Sequence, residues 1–90
     1  MNKVIITVVG KDTVGIIAKV CTYLAEKQVN VMDISQTIVQ EYFNMMMIVD
    51  MAEANASFDE IAAGLDEVGY QMGVVVKCQR EEIFTKMHRI

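Results

Sequence analysis

The chain is 90 residues long, enough for one domain, and 53% of its residues are hydrophobic. Its formal net charge is −4 and its lysines and arginines are scattered, which argues against a surface that binds the phosphates of DNA or RNA. A domain this small cannot enclose so much apolar surface in its own core, so we expect another subunit to cover part of it.

The residue types that carry enzyme or metal chemistry are sparse. Cys21 and Cys78 are far apart in the sequence, so we expect free, reduced thiols in a cytoplasmic protein. His88 is the only histidine, and no nucleophile, base or ligand pattern surrounds it. The sequence therefore predicts a protein that is not an enzyme and has no metal or cofactor. We also expect neither a signal peptide nor a membrane-spanning segment.

The first half of the chain predicts a strand, a helix and a second strand. Residues 3–9 are β-branched and apolar, as in a buried strand, and the four residues that follow are expected to end it. Asp12 or Thr13 is the expected N-cap of a helix whose buried face consists of Val14, Ile17, Cys21 and Leu24. From Asn30 the period changes to two, which predicts a half-buried strand with an apolar side of Met32, Ile34 and Ile38.

The second half predicts a strand, a helix, a strand and a short last helix. A turn at residues 40–41 leads into a strand over residues 42–51, with Phe43, Met45, Met47 and Val49 on one face. Ser57 and Glu60 have the spacing of a capping box, and Gly69 is the expected end of that helix. We expect the fourth strand over residues 70–78 and a short C-terminal helix over residues 81–90.

The order β-α-β-β-α-β predicts an α+β, ferredoxin-like fold: a four-stranded antiparallel sheet with two helices on one face. We assign residues 1–80 to this domain and residues 81–90 to a C-terminal helical extension of it. The other face of the sheet is expected to be apolar at its centre, and either the last helix or a second subunit must cover it. Its expected members are Ile5, Thr7, Val9, Asp33, Ser35, Thr37, Met46, Ile48 and Val75.

The segment from Gly10 to Ile16 is the first candidate site, because it joins a strand to a helix N-terminus, where free backbone amides favour an anion. A ligand carboxylate could bind there, with Asp12 accepting from an ammonium group. Gly15 would let a neighbour approach the first helical turn closely. The alternative is an ordinary capped turn between a strand and a helix.

Asn30 is the second candidate, because its amide can both donate and accept hydrogen bonds. The alternative is a helix-exit residue in a left-handed conformation, which asparagine tolerates.

In these features the sequence resembles an ACT domain over about its first eighty residues. The resemblance rests on the element order, the Gly10-Lys11-Asp12 turn, Gly15-Ile16, and Val29-Asn30-Val31. The ending Met87-His88-Arg89-Ile90 is similar to free-standing bacterial single-ACT proteins related to the glycine cleavage system transcriptional repressor. Val14 stands where that family often has proline, and Asp12 where amino-acid binders often have asparagine.

The resemblance implies regulation by an amino acid or similar small ligand held between two subunits. The implied ligand-binding residues are Gly10, Lys11, Asp12, Thr13, Val14 and Gly15 from one subunit, and Asn30, Val31 and Met32 from the other. The implied partners are a second copy (a homodimer or higher oligomer), the ligand, and a regulated protein, with no nucleic acid and no membrane. A dimerisation scaffold without a ligand stays open as the alternative.

Overall fold

The structure is a computed structural model that describes residues 2–11 and 14–81. The strands are β1 (Lys3–Lys11), β2 (Asn30–Val39), β3 (Tyr42–Asp50) and β4 (Val74–Arg80). The helices are α1 (Ile16–Glu26), between β1 and β2, and α2 (Phe58–Met72), between β3 and β4. This order confirms the predicted ferredoxin-like β-α-β-β-α-β architecture.

The four strands form one antiparallel sheet in the order β2-β3-β1-β4, so that β1 and β3 are central and β2 and β4 are edges. The register sets Ile6 opposite Met47 on one side and Cys78 on the other. Because side chains alternate along a strand, this register also determines which residues share each face of the sheet.

Both helices lie on the inner face of the sheet, where the side chains are buried. Val4, Ile6 and Val8 of β1 are fully buried there, as predicted, beside Met45, Met47 and Val49 of β3. Ile16, Val20 and Leu24 of α1, with Ile61 and Leu65 of α2, close the core from above. Each such side chain contributes roughly 1.5–3 kcal/mol to folding by leaving water.

The buried face of α1 differs from the predicted one. The helix packs through Ile16, Val20 and Leu24, whereas Val14 is 99% exposed and Ile17 is 36% exposed. Only Leu24 of the predicted face is fully buried, and Cys21 is half-buried. The first turn of α1 carries apolar residues on two adjacent stripes, so the periodicity alone could not select between them.

Two glycines set boundaries that the sequence analysis misjudged. The prediction that Gly10 ends β1 is wrong: Gly10 lies within the strand, and a Cβ there would come 2.7 Å from Cγ1 of Val74. The prediction that Gly69 ends α2 is also wrong. It is buried where a Cβ would lie 2.8 Å from the Val74 carbonyl oxygen, so glycine lets α2 approach β4 closely.

The true end of α2 is Gly73, which adopts a left-handed conformation with φ 75°. The fourth strand therefore begins at Val74 rather than at residue 70, and Tyr70 is an exposed helical residue. Glycine is the residue that enters this region without a Cβ penalty, which makes it a common helix terminator.

The prediction that β2 is half-buried is wrong for most of its length. Every residue from Met32 to Val39 is exposed, because β2 is an edge strand. A bulge interrupts its pairing with β3 between Val31 and Asp33. Beyond the bulge, Asp33, Ser35 and Thr37 point to the outer face, as predicted, and Ile34 and Ile38 point to the inner one.

The expected C-terminal helix falls on residues 82–90, which lie outside the described residues. The same is true of the expected caps Asp12 and Thr13. Within the described ranges, neither helix is long and apolar enough to cross a membrane.

The capping box at the start of α2 is confirmed. The Glu60 backbone N–H donates to Ser57 Oγ over 3.2 Å, and Asp59 and Glu60 add negative charge to the first turn.

Replacing the cap tests its contribution. Ser57→Ala should lower the free energy of unfolding by about 1 kcal/mol, because the amide loses its acceptor. Ser57→Asp keeps an acceptor and should stay within about 0.5 kcal/mol of the parent in urea unfolding. Equal losses in the two variants would show that the hydroxyl does not act as a cap.

Candidate functional site

The β1–α1 connection brings a strand end and a helix start to one end of the sheet. Lys11 is the last residue of β1, and α1 begins at Ile16 after Gly15 as N-cap. Because Gly15 has no side chain, it cannot itself accept from the free amides of the first turn. Those amides, with the positive end of the helix dipole, favour a negatively charged group.

The conformation of Gly15 explains why glycine stands there. Its φ of 89° lies in the left-handed region, where an L side chain is strained. A Cβ at Gly15 would meet no atom of the chain within 4 Å, so glycine is required by the backbone angle and not by a close neighbour. The surface above Gly15 is open, and the adjoining Val14 is almost fully exposed.

Asn30 begins β2, opposite Asp50 of β3. The left-handed helix-exit residue is Gln28, with φ 57°, so the alternative assignment of that conformation to Asn30 is wrong. The Asp50 carboxylate accepts from the backbone amides of Asn2 and Ala52, both at 3.0 Å. These two hydrogen bonds hold the pKa of Asp50 below its usual value, so it stays charged beside Asn30.

Met32 lies at the β2 bulge, where one residue more is inserted on β2 than on β3. Its side chain is 43% exposed, whereas that of Val31, one residue earlier, is half-buried against the core. Bulges redirect side chains and occur often beside functional sites. The sequence offered no sign of this irregularity, since the alternation of apolar and polar residues continues beyond it.

The two predicted half-sites lie at opposite ends of the sheet within one chain. Lys11 pairs with Tyr42, which pairs with Val39 at the end of β2. Asn30 pairs with Asp50, which pairs with Lys3 at the start of β1. The nine residues of β1 separate these ends by about 26 Å. One chain therefore does not bring the turn and the start of β2 together around a small ligand.

An apolar surface borders the free edge of β2. Tyr23 marks the flank of α1 that faces α2, because its hydroxyl donates to the Glu60 carbonyl over 3.5 Å. The opposite flank of α1 therefore faces β2. Apolar side chains on that flank and on the same side of β2 remain accessible: Val14, Ile17, Ala18, Ala25, Ile34 and Ile38.

A surface groove of about 410 Å³ runs between α1 and α2 and was not anticipated from the sequence. It begins at Gly15 and is lined by the charged Lys19 and Glu26, with Tyr23 and Val68 among its apolar walls. Burial is the main cause that raises the pKa of the Tyr23 hydroxyl, followed by the nearby Cys78 and Glu60.

The described cysteines are poorly suited to nucleophilic chemistry. Burial, with a smaller contribution from Asp66, raises the pKa of Cys78 to about 12, so its thiol stays neutral. Across residues 2–11 and 14–81, no group of three or more histidine, cysteine, aspartate or glutamate side chains could hold a metal ion.

Comparison with known proteins agrees with this architecture. A family model described as ACT domain matches residues 2–79. The chain is 66% identical to a UPF0237 protein of Bifidobacterium longum over 90 residues, which is 100% of both chains. It is 53% identical to a UPF0237 protein of Clostridium acetobutylicum over 88 residues, 98% of this chain and 99% of the other.

Solved structures give the same result. An ACT domain protein from Streptococcus pneumoniae superimposes with a TM-score of 0.80 at 40% identity, covering 92% of this chain and 93% of the other. The regulatory subunit of aspartate kinase from Thermus thermophilus superimposes with a TM-score of 0.66 at 27% identity, over 87% of this chain and 50% of that subunit.

A more distant likeness concerns the fold alone. A protein described as a glycine cleavage system transcriptional repressor superimposes with a TM-score of 0.74 at 20% identity, over 88% of this chain and 45% of that protein. ACT domains are commonly regulatory domains for small ligands. The match over residues 2–79 and the full-length relatives show that the chain belongs to the ACT domain family, among the single-domain UPF0237 proteins.

Proposed function

We propose that this protein is a non-catalytic regulatory domain, in which two copies pair along β2 and bind an amino-acid-sized ligand at each end of the seam. The observation that carries the proposal is the separation of the two half-sites by the length of the sheet. An assembly that brings opposite ends of two sheets together can complete a site that one chain leaves divided.

Antiparallel pairing of β2 with β2 of a second copy has the required geometry. In a two-fold arrangement the start of one β2 strand lies beside the end of the other. The end of β2 at Val39 is linked through Tyr42 to Lys11, at the β1–α1 turn. Asn30 and Met32 of one copy would thus approach the Gly10–Gly15 turn of the other.

The surface along this edge supports the same pairing. β2 presents unpaired backbone groups to solvent, which makes it a template for another strand. Pairing would also bring the two α1 flanks together, where Ala18, Cys21 and Ala25 are small enough for close helix approach. Burial of Val14, Ile17, Ile34 and Ile38 would supply the hydrophobic contribution to association.

The chemistry of the two half-sites fits a zwitterion. The first-turn amides of α1 can donate to a carboxylate, and Lys11 adds a positive charge at the end of β1. The Asn30 side chain can accept from an ammonium group and also donate to an oxygen. Asp12 would favour the ammonium end of the ligand and disfavour a carboxylate placed beside it.

The output would pass to another protein, because a lone regulatory domain contains nothing of its own to regulate. Its likeness to the regulatory subunit of aspartate kinase supports a regulatory role and does not identify the partner. A dimerisation scaffold without a ligand is the second candidate, favoured by the apolar β2 edge, and the experiments below separate the two.

The dimer is tested by a charge on the β2 edge. Ile38→Lys should weaken self-association by at least about tenfold, because it buries an unpaired ammonium group at the seam. Val75→Lys is the matched control on β4, where Val75 is 58% exposed, and it should leave the association unchanged. Sedimentation equilibrium measures both; a monomeric parent, or equal effects of the two lysines, would contradict the pairing.

Ligand binding is tested by calorimetry of the parent chain against the standard amino acids, glycine and serine included. At least one should bind, and Asn30→Ala should weaken its binding by about tenfold or more, because a buried polar group of the ligand loses its partner. Asn44→Ala, on the exposed outer face of β3, should leave the affinity unchanged. A dimer that binds none of the amino acids would favour the scaffold.

A further inference from the structure

The outer face of the sheet, opposite the helices, is unequally exposed along its length. On β1, Val9 is 47% exposed but Ile5 only 7%, although both point outward from the same central strand. The difference recurs on β3, where Met46 is exposed and Ile48 is half-buried. On β4, Lys77 is exposed and Gln79 is half-buried.

The better-protected residues are neighbours in one row across the sheet. Ile5 lies opposite Ile48 on one side and Gln79 on the other, whereas Val9 lies opposite Asn44 and Val75. Both described helices are on the inner face, so neither helix shields this row. The protection therefore requires a cover other than the helices, at one end of the outer face only.

The chain leaves β4 at this same end. β4 ends at Arg80, one residue after Gln79, and Glu81 forms an ion pair with Lys3 at 3.7 Å. An ion pair this exposed adds little stability, but it locates the point where residues 82–90 begin, beside the start of β1.

We propose that residues 82–90 cover the Ile5–Ile48 half of the outer face as an intramolecular lid for the hydrophobic surface, leaving the Val9–Val75 half open. The segment contains four large apolar residues for this contact: Ile83, Phe84, Met87 and Ile90. From β4 to β3 is two strand spacings, about 10 Å. Nine residues span about 13 Å even when helical, which reaches β3 but not the far end of the sheet.

The limited reach of the segment agrees with the exposure pattern. Val9, Val75 and Tyr42 belong to the open half and are each about half exposed. This contact lies on the opposite face from α1 and does not involve the β2 edge, so it is independent of the ligand site and of the proposed dimer.

The test is a pair of alanine variants in two lengths of chain, the full chain and a chain ending at Glu81. In the full chain, Ile5→Ala should lower the folded-to-unfolded ratio by roughly tenfold more than it does in the shortened chain, because truncation has already exposed Ile5. Val9→Ala, on the same strand and face, should have the same effect in both lengths. Urea unfolding at one protein concentration measures all four variants and the two parents.

Additive effects at Ile5, with the same loss in both lengths, would overturn the proposal. So would an Ile5→Ala effect that grows with protein concentration and persists after truncation, because a second copy would then be the cover. Should the shortened chain fail to fold, Ile83→Ala and Phe84→Ala in the full chain replace the truncation. At least one of them must be non-additive with Ile5→Ala and additive with Val9→Ala, and additivity in all pairs would exclude the contact.

Discussion

The packing of two helices against one face of the central strands β1 and β3 is the constraint on which the rest of the structure depends. Alternation along β1 sends Val4, Ile6 and Val8 into that contact, where they are fully excluded from water. Two helices are wide enough to cover this inner face over the central strands, but they leave β2 at the margin and the outer face without a helix. The remaining apolar surfaces of the chain are consequences of that single layer.

These two surfaces differ in what can cover them. The β2 edge has unpaired backbone groups in addition to apolar side chains, so a second strand satisfies both hydrogen bonding and burial. The outer face already has its backbone groups paired within the sheet and needs only apolar cover. A second copy therefore suits the first surface, and the nine residues after Glu81 suit the second. A division of this kind accounts for a hydrophobic fraction of 53% in a chain with so small a core.

The position of the candidate site makes assembly and ligand binding one equilibrium. The β1–α1 turn and the start of β2 are separated by the length of β1, so a ligand that contacts both would bind the pair of subunits better than the single chain. Such a ligand stabilises the assembled state in proportion to that difference in affinity. This gives a small domain without catalytic groups a physical way to report a ligand, since the change in assembly is available to a partner protein.

The sequence by itself determined the element order, the inner residues of β1 and β3, and the Ser57–Glu60 cap, because period-two alternation and capping are local. It could not select the buried face of α1, since the stripe through Val14 and Ile17 is as apolar as the one through Ile16 and Val20. Nor could it distinguish Gly69 from Gly73: both are glycines near the end of α2, but close approach of β4 requires the first and a left-handed backbone requires the second. The tertiary structure also decided that β2 is an exposed edge with a bulge at Met32 and that the two half-sites lie at opposite ends of the sheet. Those features depend on which elements become neighbours in space, and local periodicity carries no information about that.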